Sequence, residues 1–98
     1  MRLTPAQGAM EAFLGHMLDM GMPRDWSKAQ RIKFGRELLV KITGRDFGYD
    51  PIQWHHYLWE VDAGGYRWSR SSENKWARYA EAALDDPEWR EAVKELQE

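Results

Sequence analysis

Residues 42–59 read Ile42-Thr43-Gly44-Arg45-Asp46-Phe47-Gly48-Tyr49-Asp50-Pro51-Ile52-Gln53-Trp54-His55-His56-Tyr57-Leu58-Trp59, and the spacing of their polar, turn-forming and aromatic positions decides the fold. Thr43 and Gly44 are a helix-end signal. Asp50 followed by Pro51 is a helix-start signal, because the carboxylate accepts an orphan backbone N–H and proline at the first helical position gives up no hydrogen bond. From Pro51 onward Trp54, Tyr57, Leu58 and Val61 recur at intervals of three and four, the period of one helix face. The segment is therefore helix, loop over Arg45 to Tyr49, then helix.

The same grammar extends in both directions. Upstream, Thr4 before Pro5 opens a first helix expected to run to about Met20, with Ala6, Met10, Phe13, Leu14, Met17 and Leu18 on one stripe and Gly21 and Pro23 ending it. Asp25 or Ser27 caps a second, whose apolar arc holds Ile32, Gly35, Leu38, Leu39 and Ile42. Downstream, Gly64 and Gly65 end the third helix, and Tyr66 to Ser72 read as an ordered loop. A fourth helix spans Glu73 to about Leu84 with Trp76, Tyr79, Ala80, Ala83 and Leu84 inside. Asp86 and Pro87 then open a fifth with Trp89, Ala92, Val93 and Leu96 on one stripe. The expected fold is all-α: a single compact bundle of five helices with short loops, residues 1–98 forming one domain, and the third helix at its centre.

Composition supports packing as the source of stability. Six tryptophans and no cysteine in 98 residues remove disulfides and thiolate metal sites, while each indole can bury roughly 150–250 Å². No run of about 18 apolar residues is present, and the first residues lack the pattern of a secretory leader, so the expected setting is the cytoplasm with no membrane partner.

The stretch Thr43-Gly44, Phe47-Gly48, Asp50 and Trp54 resembles a short helix–loop–helix element at the ends of HEAT-like helical repeats in some bacterial proteins. The resemblance implies a joint in which Thr43 and Gly44 close one helix, Phe47 plugs the loop into the core, Asp50 caps the next helix and Trp54 anchors it. It carries over no catalytic residue and covers under a fifth of the chain.

Chemistry-bearing residues are few. His55 and His56 are adjacent, so their rings point about 100° apart and cannot easily share an ion. His56 and Glu60 share a face, but two ligands fall short of a metal centre, and His16 lies on another helix. The expectation is no cofactor, no metal and no catalytic residue, with ordinary surface or boundary histidines. No serine sits in a Gly-flanked elbow, and no strand precedes a glycine-rich phosphate loop.

Charge is uneven. Arg24 to Arg45 holds seven basic residues against Asp25 and Glu37, whereas Glu81 to Glu98 holds seven acids against Arg90 and Lys94. Either the acidic fifth helix lies across the basic second or steers its docking, or both faces are simply solvated; Lys28 and Arg31 fall inside the apolar arc, their stems along it and their heads snorkelling outward.

The clearest partner signal lies in helix three, where Ile52 and Trp59 project almost opposite the Trp54 face, beside His55. A second ridge calls for another helix of the domain or for a partner, and a homodimer through it is one form of the latter. Tyr66, Arg67, Trp68 and Arg70 add rings and cations in the following loop. The expected function is a small non-catalytic protein-binding or assembly module of the regulator, immunity or inhibitor type, bacterial or phage in origin, contacting its partner through Ile52, His55, Trp59, Tyr66, Arg67, Trp68 and Arg70. A nucleic-acid binder using helix two and the Tyr66–Arg70 loop is the first alternative, and a small histidine- or metal-dependent enzyme the second.

Overall fold

Local capping chemistry places four of the five helix starts. The computed structural model describes residues 4–16, 23, 25–67 and 73–97. Five helices run α1 (Pro5–Phe13), α2 (Lys28–Thr43), α3 (Pro51–Val61), α4 (Glu73–Asp85) and α5 (Pro87–Gln97), with a short 3-10 turn over Ala63–Gly65, and no strand occurs among the described residues. Thr4 and Ser27 each accept the third helical N–H while Gln7 and Gln30 return a side-chain bond to the cap's own N–H, so both helices begin with a reciprocal capping box. Asp50 accepts from the N–H groups of Ile52 and Gln53, and Asp86 from that of Glu88. One hydrophobic cluster takes buried side chains from all five helices.

Two expectations about α1 change. It ends at Phe13 instead of running on to Met20, because Gly15 adopts a left-handed φ of 88° and turns the chain. The Gly15 N–H bonds to the Ala12 carbonyl and the His16 N–H to the Glu11 carbonyl, a Schellman closure. The apolar stripe that seemed to carry the helix further continues through Met17 and Leu18, which lie outside the described residues together with Met20 and Gly21.

The centre of the bundle is also α1 and not α3. Ala6, Gln7, Ala9, Met10, Ala12 and Phe13 are all buried, whereas α3 leaves Gln53, His56, Glu60 and Val61 exposed. The approach of α1 to α2 depends on Gly35: a Cβ there would stand 2.1 Å from the Phe13 backbone nitrogen, so only glycine lets the two helices come this close. Phe13 is the hub. Its ring stacks on Tyr49 at 6.3 Å and meets the edges of Trp54 at 6.4 Å and Trp89 at 5.9 Å.

Three side chains placed inside by periodicity are exposed: Val61 at 49%, Tyr79 at 37% and Leu84 at 38%. Val61 is the last residue of α3, and Leu84 sits in the last turn of α4, where the helix leaves the core before α5 turns back. Tyr79 stays partly open although its ring meets Trp76 at 5.8 Å and His16 at 6.1 Å.

Helices α2 and α5 pack together, and Lys28 Nζ donates to Asp86 Oδ2 at 2.8 Å. The Asp86 carboxyl is held below the usual carboxylate range by that lysine first, and the Glu88 N–H adds in the same sense. Arg31 donates to the carbonyls of Gly15 and Trp26, each at 3.0 Å, and Arg36 forms a two-point contact with Asp46 at 3.1 and 2.6 Å. Several of the basic groups on α2 are thus occupied inside the molecule. No helix among the described residues is long and apolar enough to cross a membrane.

Candidate functional site

The site lies where α3, α4 and the turn after α3 meet. Because residues 54 and 55 are consecutive in a helix, they point about 100° apart. Trp54 therefore enters the Phe13 cluster, and His55 faces a second group of rings. That group contains Tyr66, whose centroid is 5.9 Å from His55, 6.2 Å from Trp59 and 5.0 Å from Trp76.

The turn carrying Tyr66 is fastened from the far end of the chain. Thr4 Oγ1 donates to the Gly65 carbonyl at 3.0 Å, and Gln7 Nε2 donates to the Tyr66 carbonyl at 3.2 Å. Asp62 ends α3 in a left-handed conformation, φ 51°, and its Oδ1 accepts the Arg67 N–H at 2.9 Å. These bonds set the register at which the Tyr66 ring reaches His55.

His55 is 1% exposed and Tyr66 is 0% exposed. His55 Nδ1 and the Tyr66 hydroxyl form a buried hydrogen bond of 3.0 Å. Burial pushes the His55 imidazole below its ordinary range, the neighbouring His56 adds to that, and Glu73 opposes it. Burial likewise pushes the Tyr66 hydroxyl up, with Glu11 contributing. The pair is a neutral hydrogen-bonded unit at pH 7.

Beside it opens a cleft of about 300 Å³ lined by His55, His56, Trp59, Glu60 and Glu73. Trp59 is half-buried, and the Arg67 guanidinium stands 5.8 Å from its ring centroid, within reach of a cation–π contact. Arg67 in turn lies 4.0 Å from the Asp62 carboxylate.

Of the expected contact residues, His55, Trp59, Tyr66 and Arg67 are brought together. Ile52 is half-buried, packs on the core and does not line the cleft. Trp68 and Arg70 lie outside the described residues. The histidine expected at the surface or boundary splits in two: His56 is exposed, whereas His55 and Tyr66 are core groups, so the surface of the site belongs to Trp59, Arg67 and the rim residues His56, Glu60 and Glu73. The pairing of His56 with Glu60 follows from helical spacing. Glu73 comes from α4, and only tertiary packing brings it to the cleft.

Among the described residues no group of three or more histidine, aspartate or glutamate side chains is arranged to hold a metal ion. Compared with known protein families, with characterised proteins and with solved structures, the chain matches none.

Proposed function

We propose that this chain is a small non-catalytic protein-binding or assembly module whose contact surface is the Trp59 side of α3, the adjoining Arg67 and the cleft between α3 and α4. The observation that carries the reading is the half-buried Trp59 beside an exposed Arg67 at the mouth of a cleft. Tryptophan and arginine at the centre of a contact patch commonly supply most of its binding energy. The setting in this reading is the cytoplasm, in keeping with a chain free of cysteine.

Nucleic-acid binding through α2 has less support, because Lys28, Arg31 and Arg36 are each bonded within the fold. Capture from the native host with wild-type, Trp59→Ala and Arg67→Glu baits tests the proposal. Loss of the same protein from both variants, with helical circular dichroism retained, is the expected result. Identical capture by all three baits would remove this surface from consideration.

A further inference from the structure

The cleft has a chemical bias that goes beyond a generic contact surface. Glu60 and Glu73 stand on its two walls, one from α3 and one from α4, and among the described residues neither has an ion-pair or hydrogen-bond partner. Glu73 also complements the amino end of α4, as acids in a first helical turn do. Glu60 has no such role.

A second, independent observation comes from His55. This ring is 1% exposed and lines the cleft, yet Nδ1 is the ring nitrogen engaged, by the Tyr66 hydroxyl at 3.0 Å. Nε2 has no hydrogen-bond partner among the described residues and is not fully sealed from solvent, and the cleft is the opening that this ring lines. In the tautomer that carries its proton on Nδ1, donated to the Tyr66 oxygen, Nε2 offers a lone pair, and a bound cation would select that tautomer. The cleft then presents two carboxylates, one imidazole nitrogen and the indole of Trp59, which are acceptors and a π-face.

A group that carries only donors, is planar and stacks on indole satisfies all of them. Guanidinium is that group. Arg67 does not fill the role itself, since it lies outside the cleft lining and its charge is answered by Asp62 at 4.0 Å.

We infer that the cleft receives an arginine side chain of a partner polypeptide, its guanidinium held between Glu60 and Glu73, bonded to His55 Nε2 and resting on Trp59. This rests on the protein-binding reading above and names the partner chemistry for the same site. Arginine supplies the anchor, and the rim around Trp59 supplies the surrounding contact.

The test uses the full chain and three acetylated, amidated tripeptides with glycine on each side of arginine, citrulline or glutamate, read by NMR shifts of the indole N–H groups. Citrulline keeps the shape of arginine and lacks its charge. The arginine peptide is expected to shift the Trp59 indole and to bind at least about fivefold more tightly than the citrulline peptide. The double variant Glu60→Gln, Glu73→Gln should abolish that preference. Glu91→Gln with Glu95→Gln on the acidic α5 should preserve it, which separates the cleft from general negative charge.

Equal shifts from arginine and citrulline, or unchanged binding by the Glu60→Gln, Glu73→Gln variant, would overturn the inference. If the glutamate peptide alone moves Trp59, the arginine pocket falls and the contact surface stands. Should no peptide move Trp59 while Trp59→Ala and Arg67→Glu baits capture as wild type does, both fall together.

Discussion

Helix α3 separates two aromatic groups that differ in how their polar atoms are treated. On one side, Phe13, Phe47, Tyr49, Trp54 and Trp89 close on one another, and each indole N–H has an acceptor: Trp54 Nε1 bonds to the Gly48 carbonyl at 2.9 Å and Trp89 Nε1 to the Phe13 carbonyl at 3.0 Å. On the other, His55, Trp59, Tyr66 and Trp76 enclose a titratable ring, border a cleft and leave the buried Trp76 Nε1 with no hydrogen-bond partner among the described residues. Buried polar groups without partners cost about 1–3 kcal/mol each. The first group is built for stability. The second leaves a buried donor unmet and borders an opening.

The joint explains the security of the first side. Thr43 Oγ1 donates to the Leu39 carbonyl at 2.7 Å and accepts from the Arg45 N–H at 3.1 Å, while Gly44 takes a left-handed φ of 71°. Phe47 then meets Trp54 edge-on at 4.9 Å and Tyr57 at 5.0 Å. Asp46 accepts the Gly48 N–H and bonds to Arg36, and the Arg36 contact first, the Gly48 bond second, hold its carboxyl below the usual range. Each residue of the loop has a defined partner.

The contrast can be broken most forcefully at the tryptophans. Trp54→Ala should cost about 3–5 kcal/mol in urea unfolding, and Trp59→Ala, half-exposed, under about 2 kcal/mol. Equal losses would mean that Trp59 is as much a core residue as Trp54. A finer comparison replaces an indole by phenyl on each side. Trp54→Phe strands the Gly48 carbonyl, whereas Trp76→Phe removes a donor that had nothing to bond, so the first should exceed the second by about 1–2 kcal/mol. Equal or reversed costs would show that ring volume alone governs both groups.

Acid should act on the second side. In the unfolded chain His55 takes its proton near the ordinary histidine value, about 6.5, and in the fold that value is lowered, first by burial. The unfolded state therefore binds more protons as pH falls below about 6.5, and stability declines with it. The full contribution is present above about pH 6.5, and the decline ends at the lowered folded value. From pH 6.5 to 5.5 the expected loss is at most about 1 kcal/mol, and His55→Phe should flatten this part of the stability profile. An unchanged slope in His55→Phe would assign it to other groups. The smallest effect belongs to the joint's cap: Asp50→Ala should cost about 1 kcal/mol in thermal or urea unfolding without altering peptide binding at Trp59. A change in that binding would connect the two sides through α3.

Sequence was most informative where structure is local. Thr4-Pro5, Ser27, Asp50-Pro51 and Asp86-Pro87 each mark a helix start in the fold, because a cap and its recipient N–H lie within three residues of each other. The end of α1 at Gly15 was hidden by apolar residues that keep helical spacing beyond it, and periodicity cannot see a backbone that has turned left-handed. The exposure of Leu84 and Val61 has a related origin, since a regular face at a helix end loses its neighbour. The candidate site was only half legible. Trp59, His55 and Arg67 stood out by type and position, and His56 with Glu60 by spacing. Glu73 and the bond from Tyr66 to His55 arise from packing between segments, and no spacing rule connects them.

Thr4 and Gly65 are separated by 61 positions, and their hydrogen bond closes most of the chain into a ring. Closing so large a loop has an entropic cost that the bond can offset only after the intervening coils have docked. The floor beneath Tyr66 is consequently held from both ends of the ring, and anything that frays the first turn of α1 also loosens the distant wall against which a visiting side chain would press.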